Sequence, residues 1–336
     1  MKILLVQTSF LGDTILSTPV ISGIKTLHPD AELWMMTTPL AAQLVERDPL
    51  LAGVIPFDKR GEASGVSGLM AMAKRLRAMG FRKAYALQRS FRTGALLWLA
   101  GIPERIGFAN ARLSFLFHRT GRRNPSDHDV IRNLSILAPE IPLSELDQEM
   151  RLFAPDRKEL SEAVEKVLPE PGTYAVLVPG SAWPTKMWSS ERFAEVALWL
   201  SERGLDVVLL GAPQDRPASD VVKRKVPSAI DLTGKSSISE TLHVTANARL
   251  VVCNDSMALH MASAFKVPNV AVFCATTPEF GFTPWKNRAE VVEKEGLACK
   301  PCSRHGQKRC PEGTEACMRD LPASAVTDAI RRLVEL

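Results

Sequence analysis

The chain has 336 residues, of which 46% are hydrophobic and 24% charged, and its net charge at neutral pH is +5. These values are typical of a globular protein with one large domain or two ordinary ones. No apolar run reaches the roughly 18 residues of a membrane span, and the short apolar run after Met1 lacks a cleavage site, so we expect a cytoplasmic protein without a signal peptide.

Short apolar segments alternate with helical periodicity through the first half of the chain. Apolar strands that alternate with helices indicate a parallel sheet covered on both faces. The predicted strands are 3–7, 32–37, 54–57, 83–87 and 105–108, and the predicted helices are 14–27, 40–47, 67–79 and 93–100.

A proline-rich segment, 139–171, interrupts this pattern and is predicted to be a linker. The pattern then restarts, which predicts an α/β fold of two Rossmann-like, doubly wound parallel-sheet domains that face a central cleft. The domains are predicted at 1–155 and 170–320, followed by a C-terminal helix at 321–336. In the second half the predicted strands are 174–180, 205–213, 229–234, 250–255 and 269–278, and the predicted helices are 190–203, 216–225, 237–247, 258–265 and 323–336.

Basic residues are concentrated between Lys59 and Arg123, where fourteen lysines and arginines accompany two acids, Glu62 and Glu104. A solvated basic face is the simplest interpretation of any single residue in this block. The block as a whole favours an anionic partner.

Polar side chains follow two strands of the second half. "VPGSAWPTKMW" carries Ser181 and Lys186, and "CNDSMALHMA" carries Asp255, Ser256 and His260. A helix N-terminus offers unpaired N–H groups and the positive end of a dipole, so phosphate binds there readily. Taken singly, Asp255 and Ser256 fit a plain helix cap and His260 fits a buried hydrogen-bonded histidine. Their convergence on strand ends of one domain favours a phosphate site.

Several function classes lack their motifs. The chain has no G-x-x-x-x-G-K-[ST] and no G-x-G-x-x-G after the first strand, which excludes a P-loop and disfavours a nicotinamide dehydrogenase. The absence of H-E-x-x-H and G-x-S-x-G argues against a zincin or an α/β-hydrolase.

The motifs together resemble those of the ADP-heptose:lipopolysaccharide heptosyltransferases, glycosyltransferase family 9. The resemblance spans nearly the whole chain in family order. It rests on "ILLVQTSFLGDTILSTPVISGIKTLHPDAEL", "PGSAWPTKMWSSERFAEVA", "LLGAPQD" and "NDSMALHMASAFKVPNVAVF".

The resemblance implies a GT-B fold whose N-terminal domain binds the acceptor and whose C-terminal domain binds ADP-heptose. It implies inverting transfer of L-glycero-D-manno-heptose to the inner core of lipopolysaccharide, as the second heptose, without a required cofactor. Heptosyltransferase types I and III, which act on other core acceptors, are alternatives. So is a non-catalytic protein that only binds the sugar nucleotide.

Asp13 is the catalytic base that the resemblance implies, because the family places an acid in its first βα turn. Such a base takes the proton of the acceptor hydroxyl as that hydroxyl attacks the donor sugar. Gly12 would let the loop pass close to the substrate. A helix N-terminus would lower the pKa of Asp13, whereas burial would raise it.

The second catalytic residue implied is Lys186, beside the diphosphate that leaves. Where many relatives have glycine this chain has Met257, whose side chain crowds the diphosphate. The donor-binding residues implied by the resemblance are Gly12, Ser181, Thr185, Lys186, Gln214, Asp215, Asp255, Ser256, Met257, Ala258 and His260.

Four basic residues after predicted strands, Lys59, Arg60, Arg89 and Arg92, are expected to bind the acceptor. Arginine makes bidentate contacts with carboxylate and phosphate, which Kdo–lipid A carries. The segment 112–123, "RLSFLFHRTGRR", mixes apolar and basic residues as membrane-surface segments do. A core-packed stretch with a basic edge is the alternative. The expected location is therefore peripheral, at the anionic inner face of the inner membrane.

Four cysteines near the C-terminus, Cys299, Cys302, Cys310 and Cys317, follow the spacing C-x2-C-x7-C-x6-C. They could hold a structural zinc or be free structural thiols. Similar cysteine-rich tails occur in relatives of the heptosyltransferase II type.

A nucleic-acid binder that uses the basic block is disfavoured. The aromatic fraction is only 6% and no RNP-like aromatic motif is present.

Overall fold

The computed structural model describes residues 1–59, 61 and 64–335. The chain divides into two compact units, Met1–Phe153 and a second that starts at Ala154. No helix within the described residues is long and apolar enough to span a membrane.

The N-terminal unit is built on a six-stranded parallel sheet with the strand order β3-β2-β1-β4-β5-β6. Its strands are β1 Lys2–Val6, β2 Glu32–Thr37, β3 Gly53–Pro56, β4 Lys83–Ala86, β5 Glu104–Phe108 and β6 Arg119–Gly121. Its helices are α1 Leu11–Leu16, α2 Thr18–Leu27, α3 Pro39–Val45, α4 Gly65–Met79, α5 Phe91–Leu99 and α6 Asp129–Leu134, with 3₁₀ turns at Ser114–Leu116 and Leu143–Glu145.

The predicted single helix 14–27 is wrong, because the structure has two helices that meet at Ser17. Pro19 lies in the first turn of α2, where its missing N–H costs nothing, but it could not continue a helix from α1. The Ser17 hydroxyl donates to the Thr14 carbonyl at 2.8 Å and closes α1. Since α1 begins at Leu11, Gly12 and Asp13 lie within its first turn rather than before the helix.

Segment 112–123 contains the edge strand β6, which the sequence analysis missed. Arg119 pairs with Ile106 of β5. Phe117 is buried against Gly107, where a Cβ atom would come within 2.5 Å of the ring. Phe115, by contrast, leaves 79% of its surface exposed. The two aromatic residues therefore have opposite environments.

The C-terminal unit repeats the plan with the strand order β12-β11-β10-β7-β8-β9, again all parallel. Its strands are β7 Tyr174–Val178, β8 Asp206–Leu209, β9 Ile230–Asp231, β10 Leu250–Asn254, β11 Asn269–Phe273 and β12 Ala289–Glu293. Its helices are α7 Glu162–Glu165, α8 Ser190–Ser201, α9 Arg216–Lys225, α10 Ile238–Ala246, α11 Met257–Ala264, α12 Ala316–Arg319 and α13 Ala323–Leu333, and 3₁₀ turns lie at Arg157–Glu159, Pro184–Lys186, Pro213–Asp215 and Pro278–Phe280.

Successive residues of the central strands feed two separate cores, one on each face of the sheet. Leu177 and Val252 pack on one face, and Val176 and Val251 pack on the other. This alternation explains why the strands read as continuous apolar runs. The predicted α/β class with two doubly wound parallel sheets is confirmed.

Strand order reverses between β1 and β4 in the first sheet and between β7 and β10 in the second. In doubly wound sheets, ligands bind beyond the carboxyl ends of the strands at such a switch point. The loops after these four strands are therefore where each unit can hold a ligand.

Candidate functional site

The N-terminal switch point places Asp13 in the first turn of α1, just after β1. The backbone N–H of Phe10 donates to Asp13 Oδ2 at 3.3 Å. The Gln7 side-chain amide donates to the Asp13 carbonyl at 3.4 Å, and the Gln88 amide, after β4, donates to Gln7 Oε1. The loops that follow β1 and β4 are thus joined directly beside Asp13.

The pKa of the Asp13 carboxyl is raised above its ordinary value. Burial is the largest cause, and the like charge of Asp129 adds to it. Hydrogen bonds from Ser9 and Phe10 and the charge of Arg123 oppose this shift without reversing it. A carboxylate with a raised pKa is a stronger base, which suits proton abstraction from a hydroxyl.

A network of three residues that were not predicted from sequence lies near this carboxyl: Arg123 just after β6, and Asp129 and Asn133 of α6. Arg123 pairs with Asp129, and its other amine donates to Asn133 Oδ1 at 2.7 Å. The Asn133 amide in turn donates to Asp129 Oδ2 at 3.1 Å and to the Leu16 carbonyl of α1 at 3.2 Å. The network therefore ties α6 to the helix that carries Asp13.

Basic side chains lie on the same edge of this sheet. Lys59 Nζ, after β3, donates to the Thr8 carbonyl at 2.6 Å, beside the loop of Asp13. Arg92, in the first turn of α5, lies over the Phe57 ring at 5.5 Å, and Arg89 is exposed just after β4. Arg60, the fourth predicted acceptor residue, lies outside the described residues.

Other members of the basic block have internal partners, so the block is not one anion-binding face. Lys83 is buried and pairs with Glu140 at the opposite end of its strand from the switch point. Arg105 Nε donates to the Leu116 carbonyl at 2.9 Å.

The C-terminal switch point brings Lys186 and Asp255 together. Lys186 ends the 3₁₀ turn that follows β7, and Asp255 comes directly after β10. Lys186 Nζ lies 2.6 Å from Asp255 Oδ2. The Thr276 hydroxyl, after β11, donates to the same oxygen at 2.7 Å, so a residue missed from sequence completes the group.

Helix α11 begins immediately beside this pair. Its N-cap, Ser256, makes no side-chain capping bond, and the buried Ser256 hydroxyl has no hydrogen-bond partner among the described residues. Met257 and Ala258 form the first turn, whose N–H groups have no intrahelical acceptor. His260 is buried one turn further on. The end of α11 can therefore receive an anion next to a lysine.

Asn254, the last residue of β10, is another residue that was not predicted from sequence. Its amide donates to the Pro179 and Gly180 carbonyls at 2.9 and 3.2 Å. Its oxygen accepts the Trp188 N–H at 2.9 Å. Asn254 thus holds both ends of the loop that carries Ser181, Thr185 and Lys186.

Gly180 is required by a neighbouring side chain rather than by a ligand. A Cβ at this position would lie 2.1 Å from Asp215 Cγ. Asp215 Oδ2 accepts the Ala212 N–H at 2.9 Å, and burial raises the pKa of its carboxyl. Gln214 is exposed beside it. The loops after β7 and β8 therefore contact each other at Gly180.

The four C-terminal cysteines, which could hold a structural zinc or be free structural thiols, form no disulfide bond in the structure. Within the described residues no three His, Cys, Asp or Glu side chains form a group that could hold a metal ion. A hydrogen bond with Cys274 lowers the pKa of Cys317 to about 7. Cys299 is hydrogen-bonded to Cys302, and Cys310 is half-buried.

The family model described as glycosyltransferase family 9 (heptosyltransferase) matches residues 69–311, which is most of the chain. The chain belongs to glycosyltransferase family 9. The match runs from α4 through both switch-point loops of the C-terminal unit, so Lys186 and Asp255 lie inside the matched region.

Curated relatives of this family 9 enzyme include lipopolysaccharide heptosyltransferase 2 of Escherichia coli, which is 24% identical over 87% of this chain and 88% of its own. Lipopolysaccharide heptosyltransferase 1 of Pseudomonas aeruginosa is 26% identical over 90% of this chain and 86% of its own. A crystal structure of a family 9 glycosyltransferase from Veillonella parvula superposes with a TM-score of 0.87, at 22% identity over 99% of this chain and 96% of its own. That likeness confirms the GT-B fold.

Proposed function

We propose that this family 9 enzyme transfers heptose from ADP-heptose to the inner core of lipopolysaccharide with inversion at the anomeric carbon. The observation that carries the proposal is the Lys186–Asp255 pair, 2.6 Å apart, at the start of α11. A lysine beside a helix N-terminus is suited to a diphosphate.

The N-terminal unit supplies the base in this proposal. Asp13, with its raised pKa, accepts the proton of the acceptor hydroxyl as that oxygen forms a bond to the anomeric carbon. The bond between the anomeric carbon and the β-phosphate oxygen breaks, and ADP leaves with the electron pair.

The C-terminal unit stabilises the leaving group. Lys186 and the first N–H groups of α11, at Met257 and Ala258, face the developing phosphate charge, with Ser256 as a hydroxyl donor. Asp255 and His260 contact the heptose, and Gln214 and Asp215 lie toward the nucleoside. The Met257 N–H serves as well as the N–H of glycine, while its side chain narrows the site.

The acceptor carries carboxylates and phosphates, and Lys59, Arg60, Arg89 and Arg92 bind them in this proposal. We place the added sugar as the second heptose, because the Escherichia coli relative is named heptosyltransferase 2. A first-heptose activity is the alternative, supported by the Pseudomonas aeruginosa relative named heptosyltransferase 1.

The same edge of the N-terminal unit suits a membrane surface. Phe91 and Phe115 expose 58% and 79% of their surfaces. The Arg112 N–H donates to the Arg89 carbonyl at 3.2 Å, which brings their two loops together. Exposed aromatic rings beside arginines fit an anionic lipid surface, so we propose peripheral binding to the cytoplasmic face of the inner membrane.

The test is a mass-spectrometric transfer assay with ADP-heptose and core acceptors that carry zero, one or two heptoses. We expect one added heptose on the acceptor that carries one. Transfer only to the acceptor without heptose would support the first-heptose alternative. Donor binding without transfer to any acceptor would indicate a non-catalytic sugar-nucleotide protein.

Membrane binding is tested by sedimentation with anionic vesicles and neutral vesicles. Replacing Phe91 and Phe115 by alanine is expected to reduce binding to the anionic vesicles. Equal binding of the wild type to both kinds of vesicle, or unchanged binding of the variant, would contradict this part of the proposal.

A further inference from the structure

The loop that carries Lys186 is bound to the cysteine-rich segment, residues 299–317, through a reciprocal contact between Thr185 and Gln307. The Thr185 N–H donates to the Gln307 carbonyl at 3.2 Å, and the Thr185 hydroxyl donates to the same carbonyl at 3.1 Å. The Gln307 N–H donates back to Thr185 Oγ1 at 2.7 Å. Thr185 is only 3% exposed, and Gln307 is half-buried.

The same segment also contacts the loop after β11, which carries a hydrogen-bond partner of Asp255. The Cys302 N–H donates to the Ala275 carbonyl at 3.0 Å, and the Ala275 N–H donates to the Thr185 carbonyl at 3.3 Å. Ala275 directly precedes Thr276, whose hydroxyl donates to Asp255. The segment therefore contacts the loop that carries Lys186 and the loop whose Thr276 donates to Asp255.

Gly306 brings the backbone of this segment against the stem of Lys186. Its φ is +84°, and a Cβ there would lie 2.7 Å from Trp183 Cβ and 3.1 Å from Lys186 Cγ. A lysine stem has four flexible carbons. Contact along the stem restricts where the ammonium group can be.

We propose that residues 302–307 form a clasp that fixes Lys186 for the diphosphate, with Thr185 and Gly306 as positioning residues. The Thr185 hydroxyl donates its hydrogen to the Gln307 carbonyl. The main effect of Thr185 on the donor therefore passes through Lys186. The effect on turnover rests on the proposed function, whereas the effect on the Lys186 side chain does not.

Two pairs of variants separate positioning from general stability. Thr185→Val removes the hydroxyl that makes two of the three bonds, and Thr185→Ser retains it. Gly306→Ala adds a Cβ against Lys186. Gly313→Ala, in the same segment, meets a similar φ of +69° with no atom within 4 Å of the added Cβ, so it matches the backbone strain without the contact.

The first readout needs no substrate. The protein is treated with an amine-reactive reagent, and the rate at which Lys186 is labelled is measured by peptide mass spectrometry. The labelling rate of the exposed Lys235 is the reference. We expect Thr185→Val and Gly306→Ala to change the Lys186 rate severalfold relative to Lys235, and the serine and Gly313→Ala variants to match the wild type.

The second readout is steady-state transfer. A displacement of a catalytic group by about 1 Å can lower the rate about 100-fold. We therefore expect kcat to fall about tenfold to 100-fold in Thr185→Val and Gly306→Ala. In a Lys186→Ala background, Thr185→Val should cause no further loss, since the clasp acts through Lys186.

Unchanged Lys186 labelling in both Thr185→Val and Gly306→Ala would overturn the clasp. Equal losses in Gly306→Ala and Gly313→Ala would overturn it too, because strain alone would then explain them. If Thr185→Val does not fold, the comparison of Gly306→Ala with Gly313→Ala tests the clasp. Wild-type protein that transfers no heptose would refute the proposed function, and the labelling result would still test the clasp.

Discussion

Lys186 Nζ and Asp255 Oδ2 lie 2.6 Å apart, although their residues follow β7 and β10, separated by 69 positions in the chain. Both side chains are largely buried, with 15% and 6% exposed. The ammonium group has three N–H donors, so it can hold Asp255 and still donate to a phosphate oxygen. Its position is therefore set before any donor binds, which is what transition-state stabilisation requires.

Replacing Lys186 by alanine should reduce kcat for heptose transfer by about 100- to 1,000-fold, as expected when one preorganised donor is lost. The change also leaves the Asp255 carboxylate without its cation, so the melting temperature should fall. Steady-state kinetics and thermal unfolding measure the two effects.

Lys235→Ala is the matched control, because Lys235 is 55% exposed and its Nζ lies as far as 3.8 Å from Asp231 Oδ2. Such a surface pair contributes little to stability. Transfer by Lys186→Ala at the rate of this control would remove Lys186 from the mechanism.

Asp13→Asn should lower kcat by about 100- to 10,000-fold, the usual contribution of a general base. The amide oxygen can still accept the Phe10 N–H, so the helix start and the fold should persist. ADP-heptose binding, measured by calorimetry, should be unchanged. Exposed Asp30, changed to asparagine, is the control, and near-normal turnover in Asp13→Asn would contradict the assignment.

The same substitution should stabilise the protein at neutral pH. The pKa of Asp13 is higher in the folded state than in the unfolded chain, mainly through burial. The folded state therefore binds more protons between the two pKa values, and its stability falls as pH rises through that window. Asparagine carries no such penalty.

The measurement is thermal unfolding of Asp13→Asn and wild type across a pH series. We expect a higher melting temperature for the variant at pH 7 and a difference that narrows as pH falls toward the ordinary aspartate value. A variant less stable than wild type throughout would show that the carboxylate is held favourably rather than strained.

Features that depend on neighbouring residues in the chain could be predicted from the sequence. Lys186 and Asp255 could be selected because they follow predicted strands, and parallel strands present these ends along one edge of a sheet. The fold class followed in the same way from the alternation of apolar strands and helices. Both inferences depend on neighbours in the chain. The role of Asp13 was implied by the resemblance to the heptosyltransferases.

What the sequence did not reveal depends on distant partners. Thr276 matters because it donates to Asp255, and Asp129 matters because its charge acts on Asp13 more than 100 residues away. The edge strand β6 has only three residues, too few for a periodicity. The break between α1 and α2 at Ser17 could have been predicted from Pro19, which disfavours one continuous helix over 14–27.

Gly180→Ala should destabilise the C-terminal unit by about 1–3 kcal/mol, the range for overpacking a tight contact. The new Cβ would lie 2.1 Å from Asp215 Cγ, so Asp215 must leave the Ala212 N–H. Chemical denaturation measures the loss. Gly172→Ala adds a Cβ with no atom within 4 Å at a φ of +78°, so its loss measures backbone strain alone. A loss below about 1 kcal/mol at Gly180 would show that Asp215 moves away freely.

Asp129→Asn should move the acidic limb of the kcat/KM–pH profile to lower pH. The negative charge of Asp129 raises the pKa of Asp13, and Arg123 lowers it. The Asp129→Asn change removes the negative charge that raises the pKa of Asp13. It also removes the ion-pair partner of Arg123, whose positive charge then acts more strongly on Asp13, so both effects lower the pKa of Asp13. A weaker base should also give a lower plateau at high pH.

This limb reports the ionisation of the free enzyme, so the profile tests the coupling directly. Arg123 keeps its 2.7 Å bond to Asn133 in the variant, which should preserve the contact between α6 and α1. Asp127→Asn is the control, because Asp127 accepts from Asn124 at 3.0 Å and is not among the main causes of the raised pKa of Asp13. A limb that stays in place or moves to higher pH in Asp129→Asn would show that another group controls the profile, and Asp13 would then lose its role as the titrating base.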